Sequence, residues 1–323
     1  MSASGLRLGP SCGIVSENGT ESDWDLIGEQ QERKAGMRYE APQDVEAAVR
    51  ILAAEQGAYV LAGGTDLLVK LRSEMVEPDV IVDIKRIAGM KAVMPEAGGW
   101  RIGAAVSGAE MGEHAGLVAA WPGVVEAAGL IGSTQVQGRA TLAGNLCNAS
   151  PAADSVPAIV AAEAVVRVVG PKGTRDVAVI DIPKSPGKTS LGAGEFIASV
   201  FLPARGARSG DAYLRFIPRT EMDIAVVGCG ISLSLDAAGK VAAARVALGA
   251  VGPKVMLVDA AAEAIVGRAL DEAALADLAA VCSKAATPID DKRGTVDFRR
   301  HVAGVLARRA AVIAEARAKG EKA

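Results

Sequence analysis

Histidine and aromatic residues are scarce in this chain. Of 323 residues, two are histidines (His114 and His301), and the rings are limited to 4 Phe, 3 Tyr and 3 Trp. A site built on several histidine ligands is excluded, and a Ser-His-Asp triad would have only two imidazoles to draw on. The core has to be aliphatic. The four cysteines, Cys12, Cys147, Cys229 and Cys282, form no Cys-x-x-Cys pair. That argues against an iron–sulfur cluster held by this chain alone and fits a reducing compartment. Basic charge is not in excess: 35 Lys+Arg face 38 Asp+Glu, a formal charge of −3, so no general field for nucleic acid exists. An apolar run long enough to span a membrane and a signal-peptide h-region are both absent. The expectation is a cytoplasmic protein with no membrane span, no metal site of its own and no nucleic-acid partner.

Glycine, in contrast, is abundant, with 37 residues. Because glycine weakens helix and strand interiors, the excess asks for a purpose. Half of the residues are hydrophobic and 23% are charged, the profile of a folded chain. The length suggests two or three domains at roughly 100–200 residues each.

Residues 1–36 are polar and without sustained period, which reads as a disordered or artefactual extension, with Met37 as the natural start. Beyond it, elements alternate. Helical spacing over 45–52, a buried strand over 58–62, a glycine turn, a second helical pattern from Leu67 and a strand over 79–84 form a β–loop–α–β unit. A strand over 100–104 precedes Ser107-Gly108-Ala109-Glu110, which has capping-box spacing. A helix over 122–130 follows, then a glycine-rich polar stretch from 131 to 154 and a helix over 155–162. A hairpin (165–169 with 175–179) and a strand over 196–202 follow. After a boundary near 204–210, strands at 212–216, 224–235, 241–249 and 254–257 precede helices around 258–266, 271–285 and 295–318. This is an α+β pattern. The expected division is 37–206, in two lobes of about 37–86 and 87–206, then 207–315, then a tail from 316 to 323.

Three segments carry chemical character. In Leu61-Ala62-Gly63-Gly64-Thr65-Asp66-Leu67 a strand ends, two glycines remove side chains and a helix begins. Such a turn presents backbone N–H groups to a phosphate, although the same glycines serve a plain tight turn equally well. Residues 139–154 (RATLAGNLCNASPAAD) read as a long loop of neutral hydrogen-bonding groups, with Asp154 able to take ribose hydroxyls; a surface Ω-loop is the competing reading. The third, 213–225, interleaves charged and apolar residues, with Arg215 and Arg219 as candidate anion contacts or surface ion pairs. Gly228-Cys229-Gly230 lacks the third glycine of a dinucleotide fingerprint, and Gly187-Lys188-Thr189 lacks the glycine a phosphate loop needs five positions earlier.

In this order, Ala62-Gly63-Gly64-Thr65-Asp66-Leu67, then Thr141-Leu142-Ala143-Gly144-Asn145 with Ser150-Pro151-Ala152-Ala153-Asp154, then Arg219-Thr220-Glu221-Met222-Asp223-Ile224-Ala225, the segments resemble one family. It is the FAD-binding medium subunit of molybdenum hydroxylases, the xanthine dehydrogenase and aerobic carbon monoxide dehydrogenase type. The resemblance covers about Met37 to Glu315. It implies a p-cresol methylhydroxylase/vanillyl-alcohol oxidase-type FAD-binding domain followed by a small α+β sandwich domain. It further implies that Ala62, Gly63, Gly64, Thr65, Asp66 and Leu67 wrap the FAD pyrophosphate, with Leu61 a further cofactor-binding residue, and that Thr141, Gly144 and Asn145 form the second flavin loop. Asp154 matches an acidic FAD contact, Ile131 and Ile197 positions beside the flavin, and Arg215 a basic position. Ala143 stands where the family usually has glycine.

The same resemblance implies an electron-transfer subunit with no catalytic side chain of its own. A molybdopterin-binding large subunit and a small subunit with two [2Fe–2S] clusters would be its partners, in a dimer of heterotrimers, with NAD⁺, a quinone or oxygen as acceptor. The alternatives are a stand-alone reductase similar to UDP-N-acetylenolpyruvoylglucosamine reductase, and a scaffold that has lost FAD. N-terminal sequencing of the native protein is expected to read Met37 first; a mature N-terminus upstream of it would exclude that start.

Overall fold

A computed structural model of the chain describes residues 36–321. The N-terminal extension expected over 1–36 lies outside the described residues except for Gly36. The first elements follow the expected order. Helix α1 (Val45–Ala54) is capped by the Asp44 carboxylate, which accepts from the Ala47 N–H at 2.7 Å, and buries Ala48 and Leu52, one turn apart. Strand β1 (Ala58–Leu61), helix α2 (Leu67–Arg72) and strand β2 (Val80–Asp83) form a βαβ crossover. The two strands run parallel, Ala58 opposite Val80 and Leu61 opposite Asp83. Every residue of β2 is buried: Val80-Ile81-Val82 read as an apolar run for that reason, and the last residue, Asp83, is buried as a carboxylate paired with Lys85 at 2.8 Å.

Five antiparallel strands build the next part: β3 (Val93–Glu96), β4 (Gly99–Gly103), β5 (Val165–Gly170), β6 (Gly173–Ala178) and β7 (Phe196–Leu202), in the order β3-β4-β7-β5-β6. Strands β4 and β7 pair centrally although far apart in sequence, Gly103 opposite Ser199 and Trp100 opposite Leu202. Between β4 and β5 run short helices: α3 (Gly108–Glu113), α4 (Ala115–Ala120), α5 (Pro122–Ala128), α6 (Thr134–Gln137), α7 (Leu142–Cys147) and α8 (Ser155–Ala161). The capping box read at Ser107 and Glu110 is present at the start of α3. His114 caps α4, its Nδ1 accepting from the Leu117 N–H.

One expectation is corrected here. The stretch 139–154 is not a single loop: Leu142–Cys147 is helical, with the Thr141 hydroxyl accepting from the Gly144 N–H at 2.9 Å. Six residues that include a glycine and an asparagine lack both the length and the propensity to announce a helix. The cap and the burial of Leu142, Ala143 and Leu146 stabilise it instead.

Strands β8 (Ser209–Phe216), β9 (Val227–Leu235), β10 (Val241–Gly249) and β11 (Met256–Leu257) form an antiparallel sheet in chain order. Helices α9 (Asp259–Glu263), α10 (Glu272–Ala285) and α11 (Val296–Ala318) follow. Residues alternate in facing along β9. Cys229, Ile231, Leu233 and Leu235 join a second core with α9, α10 and α11. Gly230 faces the other way, against α8, all seven residues of which are buried.

This packing explains part of the glycine excess. A Cβ at Gly230 would lie 2.5 Å from the Pro157 carbonyl oxygen, so backbone meets backbone where α8 crosses the sheet. Substitution of Gly230 by alanine is expected to cost about 1–3 kcal/mol in urea unfolding, the range of overpacked cores. Gly112→Ala, in α3 and with nothing within 4 Å of its Cβ, should lose no stability and gain up to about 1 kcal/mol from helix propensity.

Candidate functional site

A cleft of about 330 Å³ opens between the turn after β1, the α7 segment and the near end of β7. Strand β1 carries the chain into Gly63-Gly64, and both glycines are required there. Gly64 has φ +81°, in the left-handed region, and the Gly63 α-carbon lies so close to the Arg139 carbonyl that no side chain fits. Among the described residues the N–H groups of Gly63, Gly64, Thr65 and Asp66 have no protein acceptor, whereas the Leu68 N–H bonds the Gly64 carbonyl at 2.9 Å. Four consecutive unsatisfied donors on a cleft-lining turn suit an anion.

The second wall comes from α7. The Asn145 amide oxygen accepts from the Ser155 N–H at 3.1 Å and from its hydroxyl at 2.7 Å, which ties α7 to α8. Asn148 donates to the Asp66 carboxylate at 2.9 Å and accepts from the Lys70 ammonium at 2.7 Å, so it joins the two walls. Burial raises the pKa of Asp66, with Lys70 opposing the shift. Ala143 lines the cleft from within a helical turn, a conformation that alanine adopts without strain. Apolar surface is supplied by Ile84, Ile131, Leu191 and Ile197.

Ala62, Gly63, Gly64, Thr65, Asp66, Leu67, Ile131, Thr141, Gly144, Asn145 and Ile197 are thus brought together around one cleft. Leu61 is the last residue of β1 and stands behind the turn, its Cδ1 2.9 Å from where a Cβ on Gly64 would sit. Asp154 and Arg215 do not line the cleft. They pair with each other at 2.7 Å, and the Tyr213 hydroxyl donates to the other Asp154 oxygen at 3.3 Å. Burial pushes the Asp154 carboxyl up, and Arg215 offsets this only in part. The carboxylate that the sequence offered to a ribose therefore links the start of α8 to β8.

Several lining residues escape the sequence reading. Lys70 and Asn148 carry the polar bridge, and Tyr59, Phe196 and Glu195 also face the cleft. Lys70 had a faint signal, its position four residues after Asp66 on one helix face. Gly187, which belongs to no phosphate loop by its sequence, lines the cleft, and its N–H donates to the Ala149 carbonyl at 3.1 Å. The Cys147 thiol is pushed up to about 12 by burial, so it is no thiolate nucleophile. Among the described residues no group of three or more His, Cys, Asp or Glu could hold a metal ion.

Comparison with known proteins gives a consistent result. Residues 34–205 match the model of the FAD binding domain in molybdopterin dehydrogenase, and residues 212–314 that of the CO dehydrogenase flavoprotein C-terminal domain. The chain is 28% identical over 271 residues to the xanthine dehydrogenase FAD-binding subunit of Escherichia coli O157:H7, covering 83% of this chain and 92% of that one. It is 29% identical over 282 residues to the carbon monoxide dehydrogenase medium chain of Afipia carboxidovorans, covering 87% and 97%. A chain of the reconstituted CO dehydrogenase from Oligotropha carboxidovorans superposes with a TM-score of 0.83 at 28% identity, covering 88% and 99%.

The Asp154–Arg215 pair yields a stability prediction. Removal of one partner of a buried ion pair costs about 3–5 kcal/mol, and Arg215→Met leaves Asp154 alone. Because the folded-state pKa of Asp154 lies above its unfolded value, the native state holds the extra proton. Stability from this group falls as pH rises through that interval. Loss of Arg215 raises the folded value further, so urea unfolding of Arg215→Met should show a larger deficit at pH 7 than at pH 5. An equal deficit at both would clear Asp154 of responsibility.

Proposed function

The chain belongs to the family of the FAD binding domain in molybdopterin dehydrogenase and is an FAD-binding oxidoreductase subunit of the molybdenum hydroxylase family; from this premise we propose that it works as an electron-transfer subunit. It would stand between the [2Fe–2S] clusters of a small partner subunit and an acceptor such as NAD⁺, a quinone or oxygen. A molybdopterin-binding large subunit would oxidise the substrate, and the whole would assemble as a dimer of heterotrimers.

The observation that carries this reading is the make-up of the cleft. Unsatisfied backbone donors at Gly63 to Asp66 provide for an anion, and the wall of Ile84, Ile131, Leu191 and Ile197 provides for a planar apolar ring. These residues fit FAD: the first set would hold its pyrophosphate and the second its ring system. Bound FAD supplies two-electron redox capacity. The chain's own residues bind, orient and shield. Gly63 lets the backbone approach without a side chain in the way, Thr65 and Thr141 offer hydroxyls at the cleft, and burial of Ile197 and Phe196 keeps water from one wall.

Native purification tests the proposal. Molybdenum, iron and flavin absorbance are expected to co-purify with the chain. Removal of FAD should leave the clusters reducible by the substrate of the complex but abolish reduction of the acceptor. A chain that purifies alone and turns over with neither molybdenum nor iron would sink the proposal in favour of a stand-alone reductase.

A further inference from the structure

Among the described residues one cation lines the cleft, and its pairing is unusual: Lys70 is the only lysine or arginine of that lining. Among the described residues its ammonium makes no ion pair within 4.0 Å, and its hydrogen bond goes to a neutral group, the Asn148 amide oxygen, at 2.7 Å. An ammonium has three donors, so two remain for the cleft.

The other two charges that line the cleft are already held. Glu195 accepts from Arg175 at 2.8 Å and from the Gly192 N–H at 2.7 Å, and its carboxyl is held below the usual range by Arg175. Asp66 accepts from Asn148. Asp66 and Lys70, four residues apart, have the spacing of a helix ion pair, yet no such pair forms. Asn148 reaches across from α7 and occupies both partners, donating to the carboxylate and accepting from the ammonium. The amide thereby holds the lysine away from its natural neighbour. A half-buried ammonium whose one hydrogen bond goes to a neutral group, with Asp66 acting on it only at a distance, keeps donors free for an anion.

We propose that Lys70 is the counter-charge for the pyrophosphate of FAD, and that Asn148 is its positioning residue, preventing collapse of Lys70 onto Asp66. The inference rests on the reading of the cleft as the FAD site and adds charge neutralisation to the backbone donors of the Gly63 turn. It explains why an asparagine bridges the two walls: a carboxylate in its place would quench the lysine.

The test uses the assembled protein stripped of flavin, with FAD, ADP and riboflavin as probes in fluorescence and calorimetric titrations. Lys70→Met should weaken FAD and ADP by about tenfold to a hundredfold, the range of a charge-assisted hydrogen bond. It should also flatten the dependence of FAD affinity on salt and leave riboflavin, which has no phosphate, unchanged. Lys70→Arg should restore most of the affinity. Asn148→Leu should weaken FAD and ADP less than Lys70→Met does, again sparing riboflavin. Unchanged FAD affinity in Lys70→Met, or an equal loss for riboflavin, would overturn the proposal. Failure of the parent protein to bind either FAD or ADP would instead overturn the reading of the cleft itself.

Discussion

The cleft depends on one close approach. Gly63, at the end of β1, meets the carbonyl of Arg139, just ahead of α7, with no room for a side chain between them. Two segments distant in sequence thereby become facing walls. A residue larger than glycine would push the turn off α7 and with it the donors of Gly63 to Asp66. The polar bridge through Asn148 spans the same gap, so the side-chain network is set in register by a backbone contact. This order of dependence is physically sensible: van der Waals exclusion is steep and short-ranged, whereas hydrogen-bonding side chains adjust to the space they are given.

A second constraint joins the cleft to the rest of the molecule. Helix α8 is buried throughout, Asn145 grips its first residue, and Gly230 lets β9 approach its backbone. Asp154 and Arg215 add a buried ion pair at the same junction. Such a pair adds little net stability, because desolvation offsets the attraction, but it penalises any arrangement that parts it. The α7 wall is thus anchored through α8 to a sheet whose other face packs on α11 through small residues. Ala303, Ala307, Ala310, Ala311 and Ala314 on α11 are all fully buried, a close helix-on-sheet fit that suits a chain with few rings.

The shortage of aromatics has a more limited meaning in the structure than in the composition. Ile131 and Ile197 do face the cleft, but Tyr59 and Phe196 stand there as well. The chain places two of its few rings at the site, and two more, Phe216 and Phe298, in an edge-to-face pair between β8 and α11. Glycine has divided its work similarly. The Gly63-Gly64 turn serves the cleft, and Gly230 serves the packing of α8, a role that a motif-based reading of Gly228-Cys229-Gly230 does not anticipate.

Strands such as Phe196–Leu202 and Val241–Gly249 and the helix starting after Thr295 were legible because period, β-branching and caps are local properties. The glycine turn after β1 was legible for the same reason, since the positive φ of Gly64 is a local demand. The helix Leu142–Cys147, the Asn148 bridge to Asp66 and Lys70, and the withdrawal of Asp154 from the cleft to Arg215 were decided by tertiary structure alone. Each joins residues brought together from afar, and each has local chemistry compatible with another outcome: a short polar segment can stay a loop, and a carboxylate can bind hydroxyls. By itself the sequence determined most of the elements, their order and the glycine turn that ends β1. Only the fold decided which side chains face that turn, because burial and charge pairing are properties of neighbours that the chain does not list side by side.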